Sequence, residues 1–159
     1  MFIIMMSAFF LVPLFLYRSH KNFMTKFCLR MTALVAARKL YRQVLLILLY
    51  VFHFLHLCVH YNDAGVVGST IAFTIFYVFM DVDKWLHRLH DDRRCFFTAA
   101  LSAVVFAFTP YLFTLSATVS FVLLAALFYP SRSILSLWDN RDDRKVLVED
   151  KDILVEYYY

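Results

Sequence analysis

The sequence predicts an all-α protein, a polytopic transmembrane helical bundle of five spans with short interfacial amphipathic helices. Three observations carry that expectation. Apolar stretches near the ~20 residues needed to cross a bilayer recur along the chain. The 16 Lys and Arg residues all fall in segments that one topology places on one side. Turn-forming residues are scarce, with Gly occurring twice and Pro three times, which leaves little chemistry for an all-β fold. Composition agrees: 62% of residues are hydrophobic and 18% charged, against roughly 45–50% and 25% in soluble domains.

The expected spans are residues 1–17, 44–61, 64–80, 95–109 and 112–129, so that residues 1–130 form the bundle and 131–159 a cytoplasmic tail. The last two spans come from one apolar run, Cys95 to Tyr129. As a single helix its roughly 35 residues would extend about 52 Å, too long for a hydrocarbon core of about 30 Å. Pro110 lies near its middle, where it breaks a helix. Two helices joined by an uncharged turn are the reading that fits.

Charge gives the same answer independently. Arg18, Lys21, Lys26, Arg30, Arg38, Lys39 and Arg42 follow the first span, and Lys84, Arg88, Arg93 and Arg94 follow the third. Arg132, Arg141, Arg144, Lys145 and Lys151 follow the fifth. Five spans put all of them on one side, which the positive-inside rule makes cytoplasmic. The first span resembles an N-out anchor more than a signal peptide, having no basic n-region and no small-residue cleavage site. A start at Met24 or Met31 would leave four spans and the same topology for the rest.

The connecting segments read as surface helices. Met24, Phe27, Cys28, Met31, Leu34 and Val35 recur at helical spacing, as do Val82, Trp85, Leu86 and Leu89. Cationic amphipathic helices of this kind lie in the headgroup region, so the expected partners are the lipid bilayer and, through the basic loops, its anionic headgroups. The net charge of +4 is explained this way without nucleic acid. Asp81, Asp83, His87, His90 and their neighbours are expected to form a solvated face. The tail is expected to be disordered, with a hairpin of Val146–Val148 and Ile153–Tyr158 as the alternative. Small residues recur at Ala64, Gly68 and Ala72, at Ala99, Ala103 and Ala107, and at Ser116 and Ser120; such stripes let helices approach closely in lipid, within one chain or between copies.

One constellation has chemistry to offer. His56, His60 and Asp63 occupy successive turns, with His53 on the same face. Imidazoles at i and i+4 can reach one ion, and a carboxylate completes a set suited to Zn²⁺. The bland reading is a polar stripe bonded across the bundle to Ser69, Thr70 or Thr74. A bis-His haem would need a second copy, because no other span carries a His. The three cysteines have no zinc-type spacing, and no phosphate loop, G-x-S-x-G elbow or H-E-x-x-H motif occurs. No cofactor is implied. The expected function is therefore non-enzymatic: a small multi-pass protein acting through contacts with other membrane proteins or a second copy. The alternatives are a metal- or haem-binding protein using the His stripe, and a small oligomeric transporter or channel subunit. Short spans and minimal outer turns point to a bacterial inner membrane with the C-terminus cytoplasmic.

Overall fold

A computed structural model describes residues 21–59, 64–150, 153–154 and 158. All regular structure among them is helical: α1 (Lys21–Ala33), α2 (Val35–Val59), α3 (Ala64–Phe79), α4 (Val82–Asp91), α5 (Arg93–Phe108), α6 (Phe113–Leu127), α7 (Arg132–Asp139) and α8 (Arg141–Glu149). The expected first span, residues 1–17, lies outside the described residues. The described residues divide into two compact units, one within Ala36–Tyr129 and one drawing on those up to Val35 and those from Pro130 onward.

Within Ala36–Tyr129, the run from Cys95 onward is two helices, as expected. The turn between α5 and α6 holds Pro110, and Tyr111 takes a left-handed backbone with φ 65°. Such a conformation is uncommon for a residue with a side chain. The helices then pack against each other on small residues. Ser116 Oγ donates to the Ala103 carbonyl at 2.6 Å, a backbone approach that the Ala99/Ala103/Ala107 stripe permits. The Gly68 stripe behaves differently, because Gly68 and Ala72 are exposed while Val66, Ser69 and Phe73 are buried.

Helix α3 ends at an elbow. Its axis and that of α4 differ by 98° across a two-residue break. The sequence allows the third apolar stretch either to run on as, or to bend into, a short amphipathic helix here, and the structure has the bend. Asp81 caps α4 by accepting from Lys84 N at 3.5 Å, and Asp92 caps α5 by accepting from Arg94 N at 2.9 Å. Each satisfies amide donors that a helix start leaves orphaned. Much of the acidity of this run is therefore helix punctuation.

By length and composition, Val35–Val59 and Phe113–Asp139 can each cross a membrane, and the bent pair Gly65–Phe79 and Val82–Asp91 makes a third if it is one span. That is two or three candidate spans, fewer than the five expected. The shortfall has a geometric reason. Helices α3 and α5 each have 16 residues, about 24 Å at 1.5 Å per residue, short of the ~30 Å core. Helix α2 departs the other way: it begins at Val35 and takes in Arg38, Lys39 and Arg42, which the sequence places in the connecting segment before the second span.

In the other unit, α1 packs on α7. The apolar stripe expected to lie on lipid is partly covered by protein, with Met24, Cys28 and Met31 buried and Leu34 and Val35 exposed. The tail is helical where disorder or a hairpin was expected. Ser131 caps α7 by accepting from Ile134 N. Asn140 caps α8, and Asp142 and Asp143 stand in its first turn, where the helix dipole favours acids. These signals outweigh the β propensity of Val146–Val148, of which only Leu147 is buried. Arg144 fastens the junction, its Nε donating to the Trp138 carbonyl at 2.8 Å and its guanidinium lying over the Trp138 ring.

Candidate functional site

The polar side chains of Ala36–Tyr129 gather in two places. The first is centred on His53, buried on α2. Its Nε2 lies 2.7 Å from Thr118 Oγ1 on α6, and its Nδ1 lies 2.9 Å from Thr70 Oγ1 on α3. One imidazole thus ties three helices. Tyr50, one turn earlier on α2, adds a link at 2.7 Å to Thr74 Oγ1. Each threonine also donates to its own helix four residues back, Thr70 to the Val66 carbonyl and Thr118 to the Thr114 carbonyl, both at 2.7 Å.

Helical spacing anticipated part of this arrangement. Thr70 is among the partners named from sequence, whereas Thr118 is not. His56 is buried one turn beyond His53, with its ring beside Phe52 and stacked on Phe113 at 6.3 Å between centroids. His60 and Asp63, the rest of the candidate metal set, lie outside the described residues. Among the described residues no three His, Cys, Asp or Glu side chains converge as a metal site. Both His53 nitrogens face hydroxyls, so the geometry makes His53 a helix tie.

The second cluster modifies the expected solvated face of α4: Asp81, Lys84, Arg88, Asp91 and Asp92 are exposed, whereas His87 is buried and Asp83 and His90 are half-buried. Asp83 turns inward and joins α2, α4 and the C-terminal end of α6. Arg42 Nη1 lies 3.1 Å from its Oδ1, and the Tyr129 hydroxyl donates to the same oxygen. His87, buried one turn along α4, holds Nε2 3.7 Å from Asp83 Oδ2 and meets the Tyr129 ring edge-on at 4.9 Å. Two further donors reach the last turn of α6, whose carbonyls also accept from the Phe128 and Tyr129 amides. Tyr41 Oη donates to the Ala125 carbonyl at 3.0 Å and His90 Nδ1 to the Ala126 carbonyl at 2.9 Å. The sequence signal for this cluster was only the i, i+4 spacing of Asp83 and His87. Nothing in the sequence pointed Arg42 or Tyr129 at Asp83.

An aspartate whose oxygen is shared by a guanidinium and a phenol is a strong acceptor already in use. The two clusters belong to an all-helical protein with candidate membrane spans, in which His53 and Asp83 bond groups on neighbouring helices while the buried Ser69 and Thr114 hydroxyls have no hydrogen-bond partner among the described residues. Compared with protein families, curated proteins and solved structures, the chain matches none.

Proposed function

We propose that this chain is a small multi-pass integral membrane protein of non-enzymatic type, acting through helix and lipid-surface contacts with other membrane proteins. The carrying observation is the division of its surfaces. Inside, His53 and Asp83 are engaged with partners on neighbouring helices. Outside, α5 presents Phe97, Leu101, Val104 and Phe108 at helical spacing, with Leu101 66% and Phe108 86% exposed. An uninterrupted apolar face of this kind belongs in lipid or against another apolar helix.

In this reading the short helices α3 and α5 are spans in their own right, so the chain has five spans, or four without residues 1–17. Short spans suit a thin bilayer such as a bacterial inner membrane. The basic residues of α1, α4 and the C-terminal helices then share the cytoplasmic face with the C-terminus, where anionic headgroups attract them.

Photo-crosslinking in native membranes tests the reading. A photoreactive residue at Leu101 is expected to yield a discrete protein adduct, while the same residue at the buried Ala103 yields none. Lipid adducts alone from Leu101, repeated at Phe97 and Val104, would count decisively against a protein partner on this face.

A further inference from the structure

Between α3, α4, α5 and α6 lies a cavity of about 290 Å³, near the lower end of ligand pockets at roughly 300 Å³. Its walls are apolar apart from Thr118, whose hydroxyl is occupied by His53 and the Thr114 carbonyl. Along α6 the lining runs from Leu115 to Leu123, about 12 Å of helix at 1.5 Å per residue, so the space is a slot rather than a sphere. Ala72 and Ala99 leave it wide where larger residues would fill it. At the elbow between α3 and α4, Phe76 and Trp85 meet edge-to-face and line the slot. The exposed Arg88 guanidinium lies 5.7 Å from the centroid of that same Trp85 ring. Among the described residues no carboxylate pairs with Arg88.

We infer that the slot holds one acyl chain of an anionic phospholipid, with the phosphate bound by Arg88 beside Trp85. The inference rests on the membrane reading above. Charge selects this occupant: an apolar slot takes a hydrocarbon chain, and the cation at the ring that walls it takes the anion attached to that chain. A guanidinium binds phosphate through paired N–H donors, and tryptophan at the headgroup level is where such a lipid changes from chain to head.

The probe is defined phosphatidylglycerol or phosphatidylcholine added to delipidated, detergent-purified full chain, with bound lipid read by native mass spectrometry. One phosphatidylglycerol per chain is expected, in preference to phosphatidylcholine. Ala99→Phe should fill the slot and abolish retention of both lipids. Ala72→Leu does the same from another wall, which serves if Ala99→Phe misfolds by circular dichroism. Arg88→Gln should lower phosphatidylglycerol retention roughly fivefold, the effect of one basic residue near an anionic surface, and leave phosphatidylcholine unchanged. Retention that survives filling the slot in a folded variant, or a headgroup preference that survives Arg88→Gln, would overturn the proposal. Carbonate extraction of the host membrane separates the two failures. Chain in the pellet without lipid retention defeats the lipid site alone, and chain in the supernatant defeats the membrane reading with it.

Discussion

The Oγ1 of Thr118 stands 2.7 Å from Nε2 of His53, joining helices 65 positions apart in the chain. A threonine hydroxyl has one proton, and here it points at the Thr114 carbonyl. Thr70, on the other side of the ring, uses its proton the same way. A neutral imidazole has one N–H to give, so one threonine must turn its proton from its helix toward the ring. Thr118→Val should cost about 0.6–1.7 kcal/mol, the range for polar contacts between membrane helices. A double-mutant cycle with His53→Phe, read by denaturation in mixed micelles, should show coupling of similar size. Additive single costs would mean the contact contributes nothing.

The Tyr129–Asp83 bond leads to a larger effect. Hydrogen bonds to a charged group contribute roughly 1.5–3 kcal/mol, and Tyr129→Phe removes this one while keeping the ring against His87. A loss in that range is expected by the same assay. Asp83→Asn keeps an acceptor for the phenol but loses the Arg42 charge pair. Tyr129→Phe should therefore cost less when combined with Asp83→Asn than it does in the native chain. Equal costs in both backgrounds would show that the aspartate charge is irrelevant to the bond.

How far the sequence revealed this arrangement depends on how local the signal was. The break at Pro110 was visible because helix length and bilayer thickness conflict within one run. The Thr70 partner of His53 was visible because the next helix had to pass beside it. Thr118 and the Arg42–Asp83–Tyr129 meeting were not, because they depend on how distant helices pack. Of the α4 acids, Asp81, Asp91 and Asp92 are exposed as the sequence led one to expect, and only Asp83, half-buried against Arg42 and Tyr129, departs, because composition cannot tell which acid of such a run meets a distant helix. The helical tail was not legible because Val146–Val148 is β-prone and a lone hairpin is marginal in water, which made disorder the expectation, while the Asn140 cap two turns earlier sets a helix.

Cys28 offers a check on the first helix. Burial pushes its thiol from 9.0 up to about 12, while Cys58 is exposed and Cys95 half-buried. In detergent at pH 7.5 a maleimide should spare Cys28 in the native protein and modify it once denaturant is added. The sign for stability follows from the raised value. The buried thiol's protonated form favours the fold fully below pH 9.0, and that contribution is lost as pH rises from there toward about 12. Rapid labelling of Cys28 in the native protein would contradict its burial.

The contact of α5 with α6 tolerates little added volume. Ala103→Leu inserts a larger side chain where Ser116 reaches the Ala103 carbonyl at 2.6 Å, and overpacking of this kind costs about 1–3 kcal/mol. Gly68→Ala is the matching control, since no atom stands within 4 Å of a Cβ added there. A lower thermal midpoint for Ala103→Leu, with none for Gly68→Ala, is the expected outcome. A shift of the same size in both would remove the distinction between the two small-residue stripes.

One of the two units is assembled from both ends of the described chain, with α1 packed on α7. During synthesis α1 leaves the ribosome long before α7 exists. At roughly 5–20 residues per second, the roughly one hundred residues between them impose a wait on the order of 5–20 s. Throughout that interval the face bearing Met24, Cys28 and Met31 has no partner from its own C-terminal helices. Completion of this unit thus waits on the synthesis of α7, and a nascent chain stalled before α7 would present that apolar face to whatever chaperone or lipid surface lay nearest.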